Sequence, residues 1–221
     1  MPLPRYIDHT LLKPEATAAD VARLCAEARG YGFRAVCVNP CWVSLAAAEL
    51  AGSETVVATV SGFPLGASAA GIKALEAERA VSDGAAEIDV VIAVGPLLSG
   101  DYAAVLEELR EVRRAAAGAV LKVIVEACLL GEEDKAAAAM LVRLAGADYV
   151  KTSTGFNKSG ATVDDVALLR AAVGWSTGVK AAGGIRDRAA AEAMIRAGAT
   201  RIGTSAGPAI VFGGGTAGAA Y

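Results

Sequence analysis

Short runs of β-branched and apolar residues alternate eight times with longer Ala- and Leu-rich amphipathic stretches along the 221 residues of the chain. This alternation is typical of repeated βα units, whose strands form a parallel sheet. Eight such units close a barrel, so the sequence predicts an α/β fold, a single-domain (β/α)8 TIM barrel. The predicted strands span residues 6–9, 35–38, 55–60, 87–93, 121–126, 149–152, 178–181 and 201–203.

The joints between these units carry signals for helix ends and helix starts. Glycine just after a helix adopts the left-handed conformation without steric cost, and Ser, Thr and Asp are favoured at helix N-caps. An open, doubly wound sheet is the alternative, but no GxGxxG motif follows the first predicted strand. The predicted helix ends are Gly84-Ala85, Gly118-Ala119, Gly146-Ala147 and Gly198-Ala199, and the predicted N-caps are Thr17, Asp101, Thr162 and Asp187.

Length and composition exclude several classes of protein. The chain fits one barrel over residues 1–212, followed by a flexible tail over residues 213–221 that ends in Tyr221. Its apolar runs are far shorter than the ~20 residues of a membrane-spanning helix, and its N-terminus lacks the apolar segment of a secretory signal. We therefore expect a cytoplasmic protein without membrane contact. A net charge of −3 and 5% aromatic residues argue against nucleic acid as a partner.

Charged residues occur within predicted strands, where a barrel covered by helices and filled by side chains should be apolar. In the fourth strand, the alternation sends Ile88 and Val90 toward the helices and Asp89 into the barrel. In the fifth strand, it directs Lys122 and Glu126 inward, one strand along from Asp89. A buried ion-pair network is the favoured explanation for Lys122, whereas for Asp89 a structural and a functional role stay open.

Two lysines occupy equivalent positions in adjacent units: Lys151 in Val-Lys-Thr-Ser-Thr-Gly and Lys180 in Val-Lys-Ala-Ala-Gly-Gly. Neighbouring strands lie about 4.8 Å apart, so two inward lysines in register bring their ammonium groups together. Burial and a like charge both disfavour the protonated amine, so at least one lysine pKa should fall. A neutral amine is the nucleophile that condenses with a carbonyl group. The alternative is that each lysine forms a salt bridge with an inward carboxylate.

Glycine-rich segments follow the seventh and eighth predicted strands. They are Gly183-Gly184 and Gly203-Thr204-Ser205-Ala206-Gly207, and the second opens a short helix. In a (β/α)8 barrel, the loops after these two strands commonly bind phosphate through backbone N–H groups. The sequence therefore predicts a small phosphorylated substrate, with Lys158 as a candidate for an additional positive charge.

His9 is the only histidine of the chain, which limits the metal chemistry available to it. A catalytic zinc site is commonly built from several histidines, and no HxxH or CxxC motif occurs here. We therefore expect neither a metal nor a cofactor, and activation of a carbonyl without a metal. His9 itself is interpreted as a hydrogen-bonded residue at the end of the first strand rather than a catalytic group.

In their sequence context, the two lysines and Asp89 resemble the deoxyribose-phosphate aldolases. The similarity runs nearly from end to end of the chain. It rests on Val-Lys-Thr-Ser-Thr-Gly-Phe around Lys151, Val-Lys-Ala-Ala-Gly-Gly-Ile-Arg around Lys180, Glu-Ile-Asp-Val-Val-Ile around Asp89, Asp8-His9-Thr10-Leu11-Leu12, Val36-Cys37-Val38-Asn39-Pro40, Ser61-Gly62-Phe63-Pro64-Leu65-Gly66 and the terminal Tyr221.

The resemblance implies a class I aldolase that reversibly cleaves 2-deoxy-D-ribose 5-phosphate to D-glyceraldehyde 3-phosphate and acetaldehyde. It implies that Lys151 forms the imine, that Lys180 lowers the pKa of Lys151, and that Asp89 relays protons with Lys180 and a water. Asp8, Thr152 and Thr154 stand near strand ends and are candidates for hydrogen bonds to substrate hydroxyls.

Two positions depart from the pattern of the family. Some relatives have a lysine directly after Thr-Ser-Thr-Gly, where this chain has Phe156, with Lys158 two residues later. Ser-Ser often follows the glycine of the last phosphate loop, where this chain has Ser205-Ala206. The second change removes one hydroxyl and keeps the backbone N–H, so we expect little effect from it.

The tail before Tyr221 consists mostly of glycine and alanine, and such tails are usually dispensable. The alternative, which the resemblance favours, is that the tail folds over the barrel mouth and brings the Tyr221 phenol to proton exchange beside the imine.

Two other functions stay open. One is a Schiff-base barrel with a ketone donor, such as a transaldolase or a sugar-acid aldolase. The other is a barrel that only binds or isomerises a sugar phosphate, which would need the glycine loops but not two lysines. Whatever the function, we expect a homodimer or homotetramer, because barrels commonly associate through apolar helix faces.

Overall fold

The computed structural model describes residues 1–212 and shows eight parallel strands that form a closed barrel in sequence order. The predicted barrel is thereby confirmed, and every predicted strand boundary lies within two residues of the observed one. The strands are β1 (Ile7–Leu11), β2 (Ala35–Val38), β3 (Val56–Ser61), β4 (Glu87–Val91), β5 (Val120–Ile124), β6 (Tyr149–Lys151), β7 (Gly178–Ala182) and β8 (Arg201–Thr204).

Helices cover the outside of the barrel, and their ends agree with the predicted signals. Thr17, Asp101, Thr162 and Asp187 each accept a hydrogen bond from a backbone N–H of the helix that follows. Gly84, Gly118, Gly146 and Gly198 all have positive φ, as expected for glycines that end helices. The helices are α1 (Ala18–Tyr31), α2 (Val43–Glu49), α3 (Ala70–Ser82), α4 (Val94–Leu98), α5 (Tyr102–Ala115), α6 (Glu132–Leu144), α7 (Val163–Val173), α8 (Arg188–Arg196) and α9 (Gly207–Phe212).

The inner wall of the barrel has an apolar part and a charged part. On β2 and β3, the small or apolar side chains of Ala35, Cys37, Ala58 and Val60 form a buried cluster with Leu12. The other strands direct charged side chains inward instead, including Asp8 on β1 and Arg201 on β8, which form an ion pair. The residues that alternate with them, such as Ile88 and Val90, pack in the main core.

The loops that follow β6 and β7 are in direct contact. The backbone N–H of Ala161 donates to the carbonyl oxygens of Ala182 and Gly183, both at 3.1 Å. A side chain on Gly160 would place its Cβ only 2.2 Å from the Gly183 oxygen, so only glycine allows this approach. This contact holds the loop after Lys151 against the glycine loop after Lys180.

None of the helices within residues 1–212 combines the length and the apolar character that crossing a membrane requires.

Candidate active site

Asp89 lies at the centre of the charged part of the barrel and contacts three lysines. Its Oδ1 is 2.6 Å from the Lys122 Nζ, and its Oδ2 is 2.8 Å from the Lys151 Nζ and 2.7 Å from the Lys180 Nζ. All four side chains are buried. Lys151 and Lys180 are paired in register on β6 and β7, as the equivalence of their sequence positions predicts. The structure therefore contains both features that the sequence left as alternatives: the two lysines are neighbours, and each forms a salt bridge with an inward carboxylate.

A second layer of charge lies next to Asp89. Asp8 contacts Lys180 at 2.5 Å through Oδ2 and Arg201 at 2.6 Å through Oδ1. Glu87 contacts Lys122 at 2.8 Å and Arg201 at 2.9 Å. The ion-pair network predicted for Lys122 is therefore present, and it joins β1, β4, β5, β6, β7 and β8.

The network holds more cations than anions. Among the described residues, it contains the four cationic side chains Lys122, Lys151, Lys180 and Arg201 and the three carboxylates Asp8, Glu87 and Asp89. Arg34 adds a further cation at 3.6 Å from Glu87. A buried excess charge is unfavourable, so loss of one proton from a lysine brings this group toward neutrality.

Of the three lysines that contact Asp89, Lys151 is the one whose pKa is lowered. Its ammonium contacts one carboxylate, whereas Lys180 contacts two and Lys122 lies within 4 Å of three. Burial lowers the pKa of Lys151 below its ordinary value, and the positive charge of Lys180 lowers it further against the opposing effect of Asp89. For Lys180, burial acts in the same direction, but Asp8 and Asp89 outweigh it and raise its pKa.

The two central carboxyl groups stay ionised despite their burial. Burial alone would raise the pKa of Asp89, but Lys122, Lys151 and Lys180 together hold it well below its usual value. Burial acts on Asp8 in the same way, and Lys180, Arg201 and Lys122 lower its pKa more strongly than burial raises it. The site therefore contains an ionised carboxylate within hydrogen-bond reach of an amine whose pKa lies below its ordinary value.

A cleft of about 400 Å³ opens at the carboxyl ends of the strands, and Lys151 lies at its base. Of the side chains in the ion-pair network, Lys151 alone lines this cleft, while Asp8, Asp89 and Lys180 lie beneath it. The predicted residues that line the cleft with Lys151 are Thr154, Gly183, Gly184, Gly203 and Ser205.

The glycine loops predicted to hold phosphate meet on one wall of this cleft. Gly183 and Gly184 have φ values of 90° and 78°, a conformation that side-chain-bearing residues rarely adopt. A Cβ on Gly203 would lie 3.1 Å from the Lys180 Cε, so this glycine lets the chain pass close to the lysine. Ser205 follows β8, and α9 begins two residues later at Gly207.

Three predicted substrate-binding residues lie outside the cleft lining. Lys158 is exposed, and its loop turns at Asn157, whose side chain accepts the Lys158 backbone N–H. The Thr152 hydroxyl is occupied by the backbone of Ala182, to which it donates at 3.2 Å and from which it accepts at 3.1 Å. Asp8 is fully engaged with Lys180 and Arg201. None of the three side chains lines the cleft.

The prediction for Glu126 was wrong in one respect. The alternation along β5 ends at Ile124, so Glu126 does not extend the row that contains Lys122. Glu126 instead adopts φ 53° in a left-handed turn, and its buried side chain contacts Thr154. Alternation describes side chains only while the strand continues, and the strand was predicted two residues too long here.

Several cleft residues were missed in the sequence, and a signal for one of them was available. Arg186 lines the cleft two residues after the Gly183-Gly184 pair, where a cation next to a phosphate loop is expected. Phe156 also lines it, and its ring meets the Phe63 ring edge-on at 5.2 Å. No sequence pattern indicates this contact, which joins two loops that are 93 residues apart.

His9 and Tyr221 complete the set of residues singled out in the sequence. His9 Nε2 lies 2.8 Å from Glu27 Oε2, so the prediction of a hydrogen-bonded histidine is confirmed. Tyr221 and the rest of the tail over residues 213–221 lie outside the described residues. Across residues 1–212, no group of three or more His, Cys, Asp or Glu side chains has an arrangement that could hold a metal ion.

Comparisons with known proteins agree on one family. The model of the DeoC/LacD family of aldolases matches residues 4–213. The deoxyribose-phosphate aldolase of Brevibacillus brevis is 55% identical over 221 residues, which is 100% of both chains. That of Deinococcus radiodurans is 55% identical over 214 residues, or 97% of each chain.

Solved structures give the same result. A putative deoxyribose-phosphate aldolase from Coccidioides immitis superposes with a TM-score of 0.93 and 45% identity, covering 95% of this chain and 84% of that one. A deoxyribose-phosphate aldolase from Aeropyrum pernix, described as a unique tetramer, has a TM-score of 0.88 and 38% identity, covering 95% and 89%.

The ion-pair network predicts a large difference between two arginines. Arg201→Met leaves Asp8 and Glu87 buried with one cation fewer, so we expect the free energy of unfolding to fall by about 3–5 kcal/mol. Arg188→Met removes an exposed pair with Glu192 and should cost less than about 1 kcal/mol. Urea denaturation of the two variants checks this, and equal losses would contradict the assigned structural role of Arg201.

Proposed function

The chain belongs to the DeoC/LacD family of aldolases, and we propose that it reversibly cleaves 2-deoxy-D-ribose 5-phosphate to D-glyceraldehyde 3-phosphate and acetaldehyde through a Schiff base on Lys151. The observation that carries this proposal is the position of Lys151. It is the member of the buried network that faces the cleft, and its pKa lies below the ordinary lysine value. A lysine of this kind is suited to nucleophilic attack on a carbonyl.

The first step joins the substrate to the enzyme. The neutral amine of Lys151 attacks C1 of the open-chain aldehyde, and the resulting carbinolamine takes up one proton and loses one water to give a protonated imine; the final hydrolysis returns that proton. This cation withdraws electrons from the neighbouring carbon–carbon bond. The hydroxyl on C3 then gives up its proton, the C2–C3 bond breaks, and D-glyceraldehyde 3-phosphate leaves while an enamine stays on Lys151.

The second step needs a proton at the enamine carbon and one water. Protonation restores the imine, and hydrolysis releases acetaldehyde and the free amine, so the water lost in the first step is regained. Asp89 and Lys180 are proposed to relay these protons, because Asp89 Oδ2 lies 2.8 Å from Lys151 Nζ and 2.7 Å from Lys180 Nζ. A carboxylate in contact with the Lys151 nitrogen, itself bonded to the Lys180 ammonium, suits general acid–base transfer.

The substrate phosphate is proposed to bind at the wall formed by Gly183, Gly184, Gly203 and Ser205. Glycine loops at these positions of a barrel direct backbone N–H groups toward anions. Arg186 lines the same cleft and is placed to supply positive charge, whereas Lys158 does not line it. We therefore assign the charge to Arg186 in place of the lysine expected from the sequence.

The proposal also covers the oligomeric state and the role of Tyr221 at the end of the tail. We propose a homodimer or homotetramer because the Aeropyrum pernix relative is described as a tetramer. Exposed apolar side chains support this, including Ile72 and Leu75 on α3 and Met140 and Leu144 on α6. The participation of Tyr221 in proton exchange beside the imine stays a prediction.

The assignment of Lys151 predicts that Lys151→Leu abolishes both turnover and adduct formation, since no other amine of the network faces the cleft. The measurement is borohydride reduction with deoxyribose 5-phosphate or acetaldehyde, followed by peptide mapping. Lys135→Leu, which removes a lysine paired with Asp165 on the helix layer, should form the adduct like the wild type. A wild-type adduct mapped to Lys180, or efficient labelling with ketones alone, would contradict the proposal.

The charge of Lys180 predicts a shift in the pH dependence of imine formation. In Lys180→Leu, Lys151 loses a neighbouring positive charge and Asp89 loses one of its cations, so both changes raise the Lys151 pKa. The amine is then protonated up to a higher pH, and the rate of acetaldehyde trapping at neutral pH should fall and recover in more alkaline buffer. Lys180→Arg keeps the charge as a control, and an unchanged profile in Lys180→Leu would exclude the electrostatic role.

The proposed phosphate site predicts that a substitution there changes KM for the phosphorylated substrate more than KM for the unphosphorylated one. Gly184→Val should raise KM for deoxyribose 5-phosphate far more than for unphosphorylated deoxyribose, because its side chain would occupy open space beside the cleft. Gly100→Val is the matched control: its φ of 76° gives similar backbone strain, and it lies after α4, outside the cleft lining. Equal losses on both substrates in Gly184→Val would place the phosphate elsewhere.

A further inference from the structure

Glu126 has an unusual backbone conformation at the end of β5. Its φ of 53° and ψ of 60° make it the one residue other than glycine with positive φ among residues 1–212. A side chain with a Cβ is disfavoured in this left-handed region, and such conformations persist when surrounding contacts enforce them. Glycine would relieve the strain, so the Glu126 side chain must contribute something that glycine does not.

Both carboxylate oxygens of Glu126 contact a single residue. Oε1 accepts the backbone N–H of Thr154 at 3.2 Å, and Oε2 accepts the Thr154 hydroxyl at 2.5 Å. Glu126 is 3% exposed and is not part of the cleft lining, whereas Thr154 lines the cleft with Lys151. Glu126 therefore acts on the cleft only through Thr154.

This contact lies where the strand that carries Lys151 has ended. β6 is three residues long and Lys151 is its last residue, and residues 152–162 contain no regular secondary structure. The backbone of β5 follows this segment, because Val125 N–H donates to the Lys151 oxygen and Ala127 N–H donates to the Thr152 oxygen. The left-handed turn at Glu126 lies between these two bonds and directs its carboxylate to Thr154.

The contact with Glu126 fixes the direction in which the Thr154 hydroxyl donates its hydrogen bond. A hydroxyl has one proton to donate, and Thr154 gives it to Glu126. Its oxygen also accepts the Phe156 N–H at 3.1 Å, which leaves one lone pair. A hydroxyl group in the cleft that reaches Thr154 Oγ1 can therefore only donate to it.

We propose that Glu126 is a positioning residue that fixes Thr154 Oγ1 as a hydrogen-bond acceptor for a hydroxyl of the aldol substrate held on Lys151. This inference rests on the proposed function, because the aldol has hydroxyl groups that acetaldehyde lacks. Glu126 thus favours steps that involve the hydroxylated substrate and has no part in forming the imine.

The experiment is a double-mutant cycle with Glu126→Gln and Thr154→Val. Glutamine keeps the length and one acceptor for the Thr154 N–H, but its NH2 group donates toward the hydroxyl and so reverses that hydrogen bond. We expect kcat/KM for cleavage of deoxyribose 5-phosphate to fall about five- to tenfold in each single variant, the factor associated with one hydrogen bond between neutral groups. The double variant should be no slower than Thr154→Val.

Two controls separate positioning from a general loss of structure. Borohydride trapping of acetaldehyde on Lys151 should stay within about twofold of the wild-type rate in every variant, because this reaction involves no substrate hydroxyl. Thr154→Ser keeps the hydroxyl and should retain most of the cleavage activity. If Glu126→Gln folds poorly, Glu126→Gly relieves the backbone strain and should show the same loss of cleavage with normal trapping.

Three results would overturn the inference. They are wild-type cleavage by Glu126→Gln, losses that multiply in the double variant, and parallel losses of cleavage and acetaldehyde trapping. Failure of the proposed function looks different, since the wild type itself would then neither cleave deoxyribose 5-phosphate nor form an adduct on Lys151, and the inference would fall with it.

Discussion

The shared carboxylate of Asp89 is the interaction on which the rest of the site depends. Three lysines that point into the buried interior of one barrel would repel each other, and Asp89 is the carboxylate that contacts all three, while Asp8 and Glu87 add contacts to Lys180 and Lys122. The ion-pair network nevertheless contains more cationic side chains than carboxylates. Lys151 has the fewest carboxylate partners of the three lysines, so under the proposed function the same electrostatics that pair the other charges also favour a neutral amine at Lys151.

The inner wall of the barrel is apolar on two strands and charged on the others, and this difference explains how the charged side chains fit inside. Small or apolar side chains on β2 and β3, among them Ala35 and Ala58, leave space for the long lysine side chains that arise from the other strands. These strands supply no charge of their own, so the ammonium and carboxylate groups pair with each other across the remaining strands. The inner wall is thus divided into an apolar part on two strands and a charged part on the other six, which contains the proposed catalytic residues.

The sequence predicts this barrel well because its signals are local. Alternation places Asp89 and Lys122 inward, and equivalent positions in two repeats place Lys151 beside Lys180. The positions of Thr152 and Lys158 outside the cleft lining could not be predicted, because a residue type at a strand end does not reveal which backbone groups its hydroxyl contacts or which way its loop turns. Glu126 shows the same limit, since its position depends on where β5 stops and on a left-handed turn that only the Thr154 contact explains.

The closure of the barrel has a consequence for the chain while it is being made. The network joins Asp8 on the first strand to Arg201 on the last, which are 193 residues apart. The pKa of Lys151 falls below its ordinary value because the folded barrel buries it beside the positive charge of Lys180, against the opposing effect of Asp89. A nascent or proteolysed chain that lacks β7 and β8 therefore carries ordinary protonated lysines, which react slowly with the aldehydes of the cell. Under the proposed function, the reactive amine is therefore formed only in a completed barrel.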